Sequence, residues 1–200
     1  MSIYNIVLFF HVIGAIGYFL GMGIWLFILL GLRRAQRVEH VRPLIHLNDL
    51  SAPVSAASAV LLLVTGLYLA LTSWSLLTSW ILVALISLLL MVPTSAVLIA
   101  PRRSAIVKQL AREAPGGELS EALERHLDDP VLATVCTTVA ALLLGLVFLM
   151  TTKPNLVGSL IVMVVALLLG LAAGVLISRM RRVPEPGMVD QRAQDKASAG

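Results

Sequence analysis

The sequence predicts an all-α fold, a polytopic membrane bundle of five transmembrane helices, from its composition and from the positions of its charges. Of the 200 residues, 58% are hydrophobic and 13% are charged, whereas a soluble domain carries about 25% charge. Residues 3–32 and 50–101 contain no Asp, Glu, Lys or Arg, and residues 130–178 contain only Lys153. A helix needs about 20 apolar residues to cross a hydrocarbon core about 30 Å thick. The first run therefore predicts one crossing, and the other two predict a pair each.

Polar residues and turn formers set the boundaries of the five helices. The predicted spans are 3–32, 50–72, 76–100, 131–152 and 156–178. The first ends before Arg33, and an uncharged Thr-Ser-Trp-Ser link separates the second from the third. Asp-Pro at 129–130 opens the fourth, because an acidic N-cap followed by proline is a specific helix start. Lys-Pro-Asn at 153–155 is a turn signal at which a helical hairpin reverses into the fifth.

The basic residues predict how the bundle is inserted. Loops 33–49 and 101–129 and the segment after 178 hold every Lys and Arg of the chain except Lys153. Basic residues near helix ends stay on the cytoplasmic side. We therefore expect the N-terminus outside and the C-terminus in the cytoplasm, with any soluble partner meeting the inner face.

Residues 1–182 form the predicted bundle, including a cytoplasmic loop at 101–129. Residues 183–200 are polar with Pro and Gly and are predicted to be a disordered cytoplasmic tail. Leucines recur every four residues from Leu119 to Leu127 within the loop. This spacing favours a short amphipathic helix lying against the bundle or the membrane surface. A solvated connecting hairpin is the alternative.

His11 is the one Asp, Glu, Lys, Arg or His residue placed well inside a predicted span, and such residues are candidates for function. At 3.6 residues per turn, it shares a helix face with four residues that complete a candidate pocket face: Gly14, Ala15, Tyr18 and Met22. An imidazole beside the missing side-chain volume of Gly14 and Ala15 suits a flat cofactor, and we hypothesise that His11 is an axial ligand of haem or binds another metal. Two alternatives are open: a neutral His11 that hydrogen-bonds a carbonyl or hydroxyl of the next helix, and a role in proton transfer or substrate binding.

A haem with two axial ligands needs a partner for His11, and the predicted spans contain no second histidine. Met163 lies at a similar depth in the fifth span and is the second-ligand candidate. One His11 from each subunit of a dimer is the alternative.

Two further polar residues have structural explanations. Cys136 is the one cysteine, which excludes a Cys-rich zinc or iron–sulfur site, and it is interpreted as a small buried hydrophobe. Asp49 is expected to cap the second span or to pair with an arginine such as Arg33 or Arg102.

Small residues recur four apart at Gly17 and Gly21, Ser55 and Ala59, and Gly170 and Gly174. This spacing allows close helix packing, either within the chain or between the copies of a homo-oligomer. The basic residues flank apolar runs and do not form a patch interleaved with aromatics, which argues against nucleic acid as a partner. The lipid bilayer is the expected partner.

Four motifs are shared with a known group of proteins: FHVIGA at 10–15, TGLY at 65–68, Trp80, and PRR at 101–103. Over residues 3–150 the chain resembles an uncharacterised family of small bacterial predicted integral membrane proteins. It is more distantly similar to copper-resistance D-type membrane domains and to haem-dependent protoporphyrinogen oxidases. The resemblance implies a helical bundle in which His11 matches the ligand of the haem-binding relatives. The oxidases also use a lysine on a later helix, and spans two to five here contain none, so the oxidase activity does not carry over.

The leading hypothesis is a non-enzymatic or accessory inner-membrane protein, with His11 as its candidate haem or metal ligand. One alternative is a haem-dependent membrane oxidoreductase or electron carrier. Another is a small transporter lined by the hydroxyl groups of spans two to four. The sequence leaves open whether the chain is an enzyme.

Overall fold

The computed structural model describes residues 2–35, 37–114, 117 and 119–179, and every regular element in them is an α-helix. The helices are α1 Ile3–Arg34, α2 Val38–Ser73, α3 Ser79–Leu110, α4 Glu121–Leu127, α5 Pro130–Thr152 and α6 Leu156–Arg179. Five helical segments in this part of the chain are long and apolar enough to cross a membrane, α5 carrying the fourth. The predicted all-α membrane bundle is thereby confirmed. The predicted tail 183–200 lies outside the described residues.

The bundle consists of two helical hairpins and α3, and both α1 and α3 contact α5. α1 packs along α2, α5 packs along α6, and α3 contacts α5 more extensively than it contacts α2 or α6. Glycine brings the helices of each hairpin together: a Cβ on Gly14 would lie 3.1 Å from the Leu62 nitrogen, and one on Gly170 would lie 2.5 Å from the Thr138 Cα. Small-residue faces predicted from the sequence therefore lie in contacts within the chain.

Both predicted boundaries of α5 are confirmed. Asp129 caps the helix by accepting a hydrogen bond from the Val131 amide at 2.8 Å. At the other end Lys153 has a φ of 48°, a left-handed conformation that is uncommon for lysine. The Lys153 Nζ lies 4.4 Å from the centre of the Trp74 ring. This cation–π contact stabilises the turn and connects it to the α2–α3 link.

At one end of the bundle the helices extend further than predicted. We call this the basic end: it comprises the end of α1, the start of α2, the end of α3, all of α4, the start of α5 and the end of α6. α2 begins at Val38, not near residue 50, and α3 continues to Leu110, not residue 100. The predicted loops 33–49 and 101–129 are therefore largely helical.

Apolar burial explains these extensions. Charged residues interrupt the apolar runs, but Val38, Val41 and Ile106 between them are at most 2% exposed and pack into one cluster. At 1.5 Å per residue, the 36 residues of α2 are about 54 Å long, well over a hydrocarbon core of about 30 Å. Part of α2 therefore projects beyond the membrane.

α4 closes the basic end. Leu123 and Leu127 are 0% and 1% exposed and belong to the same buried cluster as the start of α2 and the end of α3. Ser120 caps the helix by accepting a hydrogen bond from the Leu123 amide at 3.3 Å. Of the two predicted alternatives for this loop, the amphipathic helix is the observed one, and it packs against the bundle.

Candidate functional site

His11 lies on the face of α1 that packs against α2. Its Nδ1 is 3.1 Å from the hydroxyl oxygen of Thr65. That hydroxyl donates its single proton to the Leu61 carbonyl, so toward His11 it acts as an acceptor. The ring proton is therefore assigned to Nδ1 of a neutral imidazole. A hydroxyl on the next helix, one of the partners considered from the sequence, is the observed contact.

Glycines on both helices make this contact close. A Cβ on Gly66 would lie 2.9 Å from the His11 Cε1, and a Cβ on Gly14 would lie 3.3 Å from the Ser58 carbonyl oxygen. The volume that Gly14 leaves free beside His11 is thus filled by α2. The sequence suggested that a flat cofactor packs beside Gly14, and in the structure α2 packs there.

The remaining residues of the predicted pocket face point in a second direction. Tyr18 and Met22 pack against the cluster of Met91, Val139 and Leu143, which joins α3 to α5. Ala15 is half-buried. The predicted face is therefore divided between two helix contacts and does not line one pocket.

Met163 lies in a different part of the bundle. It is 8% exposed and packs with Val83 and Leu149, and a Cβ on Gly145 would lie 3.2 Å from its sulfur. His11 packs against α2, so the structure does not bring the two predicted ligands together. Among the described residues no three His, Cys, Asp or Glu side chains gather into a metal site.

Two of the hydroxyl groups considered for a transport path, Ser55 and Thr137, lie at different helix contacts. On α2 the Ser55 hydroxyl donates to the Ser51 carbonyl at 3.1 Å, and a Cβ on Gly21 would collide with it. On α5 the Thr137 hydroxyl donates to the Gly170 carbonyl at 2.8 Å. Both hydroxyl groups therefore satisfy backbone carbonyls at close helix contacts.

The basic end holds the second group of polar side chains. Arg33 is 8% exposed, and its guanidinium donates to the Ile177 carbonyl at 3.1 Å and to the Asp129 carbonyl at 3.3 Å. It therefore joins the end of α1 to the end of α6 and the start of α5. The Asp129 carboxylate also accepts a hydrogen bond from Arg102 at 2.8 Å.

Asp49 pairs with Arg103, not with Arg33 or Arg102 as the sequence suggested. It also lies inside α2, so it does not cap that helix. The expectation placed Asp49 at a helix start because the apolar run begins there, whereas the helix begins at Val38. The observed pair connects α2 to α3 at the basic end.

The sequence was compared with known protein families, curated proteins and solved structures. Residues 5–154 match the family described as "Predicted integral membrane protein (DUF2269)". The chain belongs to this family. The DUF2269 match includes α1 to α5 and the turn that follows. No curated protein and no solved structure matches the chain, so the wider similarity to copper-resistance and oxidase-like proteins stays an expectation.

Within this DUF2269 chain, sequence reasoning missed Thr65 and Gly66 as the partners of His11. The positions of the two residues within their helices could have indicated this contact. His11 lies eight residues after the start of α1, and Thr65 lies eight residues before the end of α2. Because consecutive antiparallel helices place equal depths side by side, matching these depths would have indicated the contact.

Proposed function

We propose that the chain is an accessory, non-enzymatic protein of the bacterial inner membrane whose working surface is the basic end. The observation that carries the proposal is the structure built at that end, where α2 and α3 extend out of the membrane and α4 packs on them. The buried cluster there includes Val38, Val41, Ile106 and Leu123, each at most 2% exposed. Five helices can cross a membrane without a packed core beyond the bilayer. The presence of such a core supports the proposal that this end binds a soluble partner.

The contacts of His11 support the same proposal. Its Nδ1 bonds Thr65, and α2 fills the volume next to it. A polar group inside the membrane has to find a partner within the protein, and an interhelical hydrogen bond supplies one. We therefore assign His11 a structural role in the α1–α2 contact.

The proposed orientation places the N-terminus outside and the basic end in the cytoplasm, because Lys153 is the one basic residue on the opposite side of the bundle. Reporter fusions after Lys153 and after residue 182 test it. A periplasmic reporter should be active at the first site and a cytoplasmic reporter at the second. The reverse pattern would contradict the proposal.

A haem- or metal-dependent electron carrier is the second candidate function, and one observation favours it. With the proton on Nδ1 directed to Thr65, the Nε2 lone pair remains for a ligand. Metal-ligating histidines are commonly oriented by such a hydrogen bond from their other nitrogen. Met163 packs elsewhere, so for a haem with two axial ligands this candidate uses the His11 of a second copy of the chain.

An absorption spectrum separates the two candidates. The full chain is purified from its own membranes in detergent and measured before and after dithionite, beside His11→Ala. An accessory role predicts a colourless protein in both cases, with no absorbance gained on addition of haemin. A Soret band that is lost in His11→Ala would overturn it in favour of the haem protein.

The working surface is tested in cells with a photoactivatable amino acid. A probe in place of Arg125, which is exposed on α4, should give a protein adduct, and a probe in place of Leu168, 59% exposed on α6, should give lipid adducts. Absence of protein adducts from Arg125 and from further exposed positions of the basic end would contradict the proposed surface. Because both small-residue faces are filled within the chain, a homo-oligomer would have to form through other surfaces.

A further inference from the structure

An apolar groove of about 590 Å³ runs along the surface of the α5–α6 hairpin. Leu26 of α1 forms one wall, and small residues such as Ala141, Gly145 and Ala173 lie along it. Thr137 is the one polar side chain of its lining, and its hydroxyl donates to the Gly170 carbonyl at 2.8 Å. The groove thus offers no unpaired side-chain polar group along its length and suits an apolar ligand.

The length of the groove suits an alkyl chain. On α5 it extends from Thr137 to Phe148, which at 1.5 Å per residue is about 17 Å, close to the thickness of one leaflet. A single extended acyl chain is narrow enough to lie inside it.

Basic residues lie beyond one mouth of the groove. Arg33 brings the ends of α1 and α6 together through its 3.1 Å hydrogen bond to the Ile177 carbonyl, and the neighbouring Arg34 and Arg179 are exposed. Leu26 precedes Arg33 by seven residues, so the mouth lies about 10 Å from these arginines along the helix. Asp129, an acidic side chain near these arginines, already accepts hydrogen bonds from Arg102 and from a backbone amide.

We propose that this groove binds one acyl chain of an anionic phospholipid, with the phosphate held by the arginines that end α1 and α6. An apolar slot with cationic groups about a headgroup's distance from its mouth has the charge and shape of such a lipid. Basic pockets between transmembrane helices bind anionic headgroups for the same reason. The site is independent of the proposed accessory function, since it requires neither a soluble partner nor a given role for His11.

Native mass spectrometry of the full chain in detergent tests the site, with phosphatidylglycerol as the probe and phosphatidylcholine as the zwitterionic comparison. Ala173→Phe fills the groove. Ala172→Phe is its matched control, because Ala172 is exposed on the same helix and does not line the groove. We expect one phosphatidylglycerol per chain, strongly reduced in Ala173→Phe and unchanged in Ala172→Phe.

The headgroup contact is tested with Arg34→Gln combined with Arg179→Gln. Each arginine near an anionic lipid contributes about fivefold to binding, so the double variant should lower the preference for phosphatidylglycerol by about 25-fold. Arg125→Gln, on exposed α4, should leave it unchanged. Equal binding of both lipids by the unmodified chain, or equal loss in Ala172→Phe and Ala173→Phe, would overturn the site. A dimer that Ala173→Phe dissociates would show that a second copy occupies the groove and would overturn the proposal too.

Discussion

The hydrogen bond between His11 and Thr65 makes a quantitative prediction about the α1–α2 contact. Thr65→Val keeps the shape of the side chain and removes the oxygen that lies 3.1 Å from the His11 Nδ1. Side-chain hydrogen bonds between transmembrane helices are worth about 0.6 kcal/mol on average and about 1.7 kcal/mol at most. Because Gly14 and Gly66 hold this pair at a close helix contact, we expect a coupling free energy of about 1 kcal/mol, in the upper part of this range.

The assay is a double-mutant cycle of His11→Ala and Thr65→Val, with the free energy of unfolding measured by circular dichroism during titration from mild detergent into dodecyl sulfate. The two changes combined should destabilise the protein by about 1 kcal/mol less than the sum of the single changes. Thr72→Val is the control, since the Thr72 hydroxyl is exposed and donates to the Tyr68 carbonyl of its own helix at 2.8 Å. Additive effects of His11→Ala and Thr65→Val would refute the assigned contact.

Three further changes test the packing by the same unfolding measurement. Gly66→Ala places a methyl group 2.9 Å from the His11 ring and should cost about 1–3 kcal/mol, whereas Gly23→Ala, with open space around it, should be neutral or stabilising by up to about 1 kcal/mol; equal effects would contradict the packing. Arg33→Leu removes charged hydrogen bonds to two backbone carbonyls and should cost about 2–5 kcal/mol, so an effect under about 0.5 kcal/mol would show that the network is not formed. Asn48→Leu should stabilise by about 1–2 kcal/mol, because Asn48 is 2% exposed and its Oδ1 has no hydrogen-bond partner in the described part of the chain. Destabilisation by Asn48→Leu would indicate a bound water or ligand there.

Features specified by a few adjacent residues could be predicted from the sequence. Asp129 caps α5 with its own side chain, and Lys153 ends it in a left-handed turn. The burial of Leu123 and Leu127 follows from their spacing on one helix face. In each case the residues that cause the feature lie within one or two helical turns of it, so the local sequence pattern is sufficient to predict it.

Features that depend on distant partners could not be predicted. Hydropathy marks where the membrane ends, but Val38 and Val41 extend α2 beyond it because α3 and α4 cover them. Likewise Asp49 had several arginines within reach, and the choice of Arg103 follows from how far α3 continues. The sequence indicated that these side chains need a partner, but it did not identify the partner.

His11 shows why an isolated polar residue inside a membrane does not by itself indicate a cofactor. Both a macrocycle and a neighbouring helix need small residues beside the imidazole, so Gly14 satisfies either explanation. What separates them is the occupant of that volume, and here it is α2, with Gly66 and Thr65 placed against the ring. A ligand of His11 would have to approach Nε2 from outside the α1–α2 contact. The absorption spectrum of the intact protein, measured beside His11→Ala, therefore tests whether Nε2 holds a cofactor.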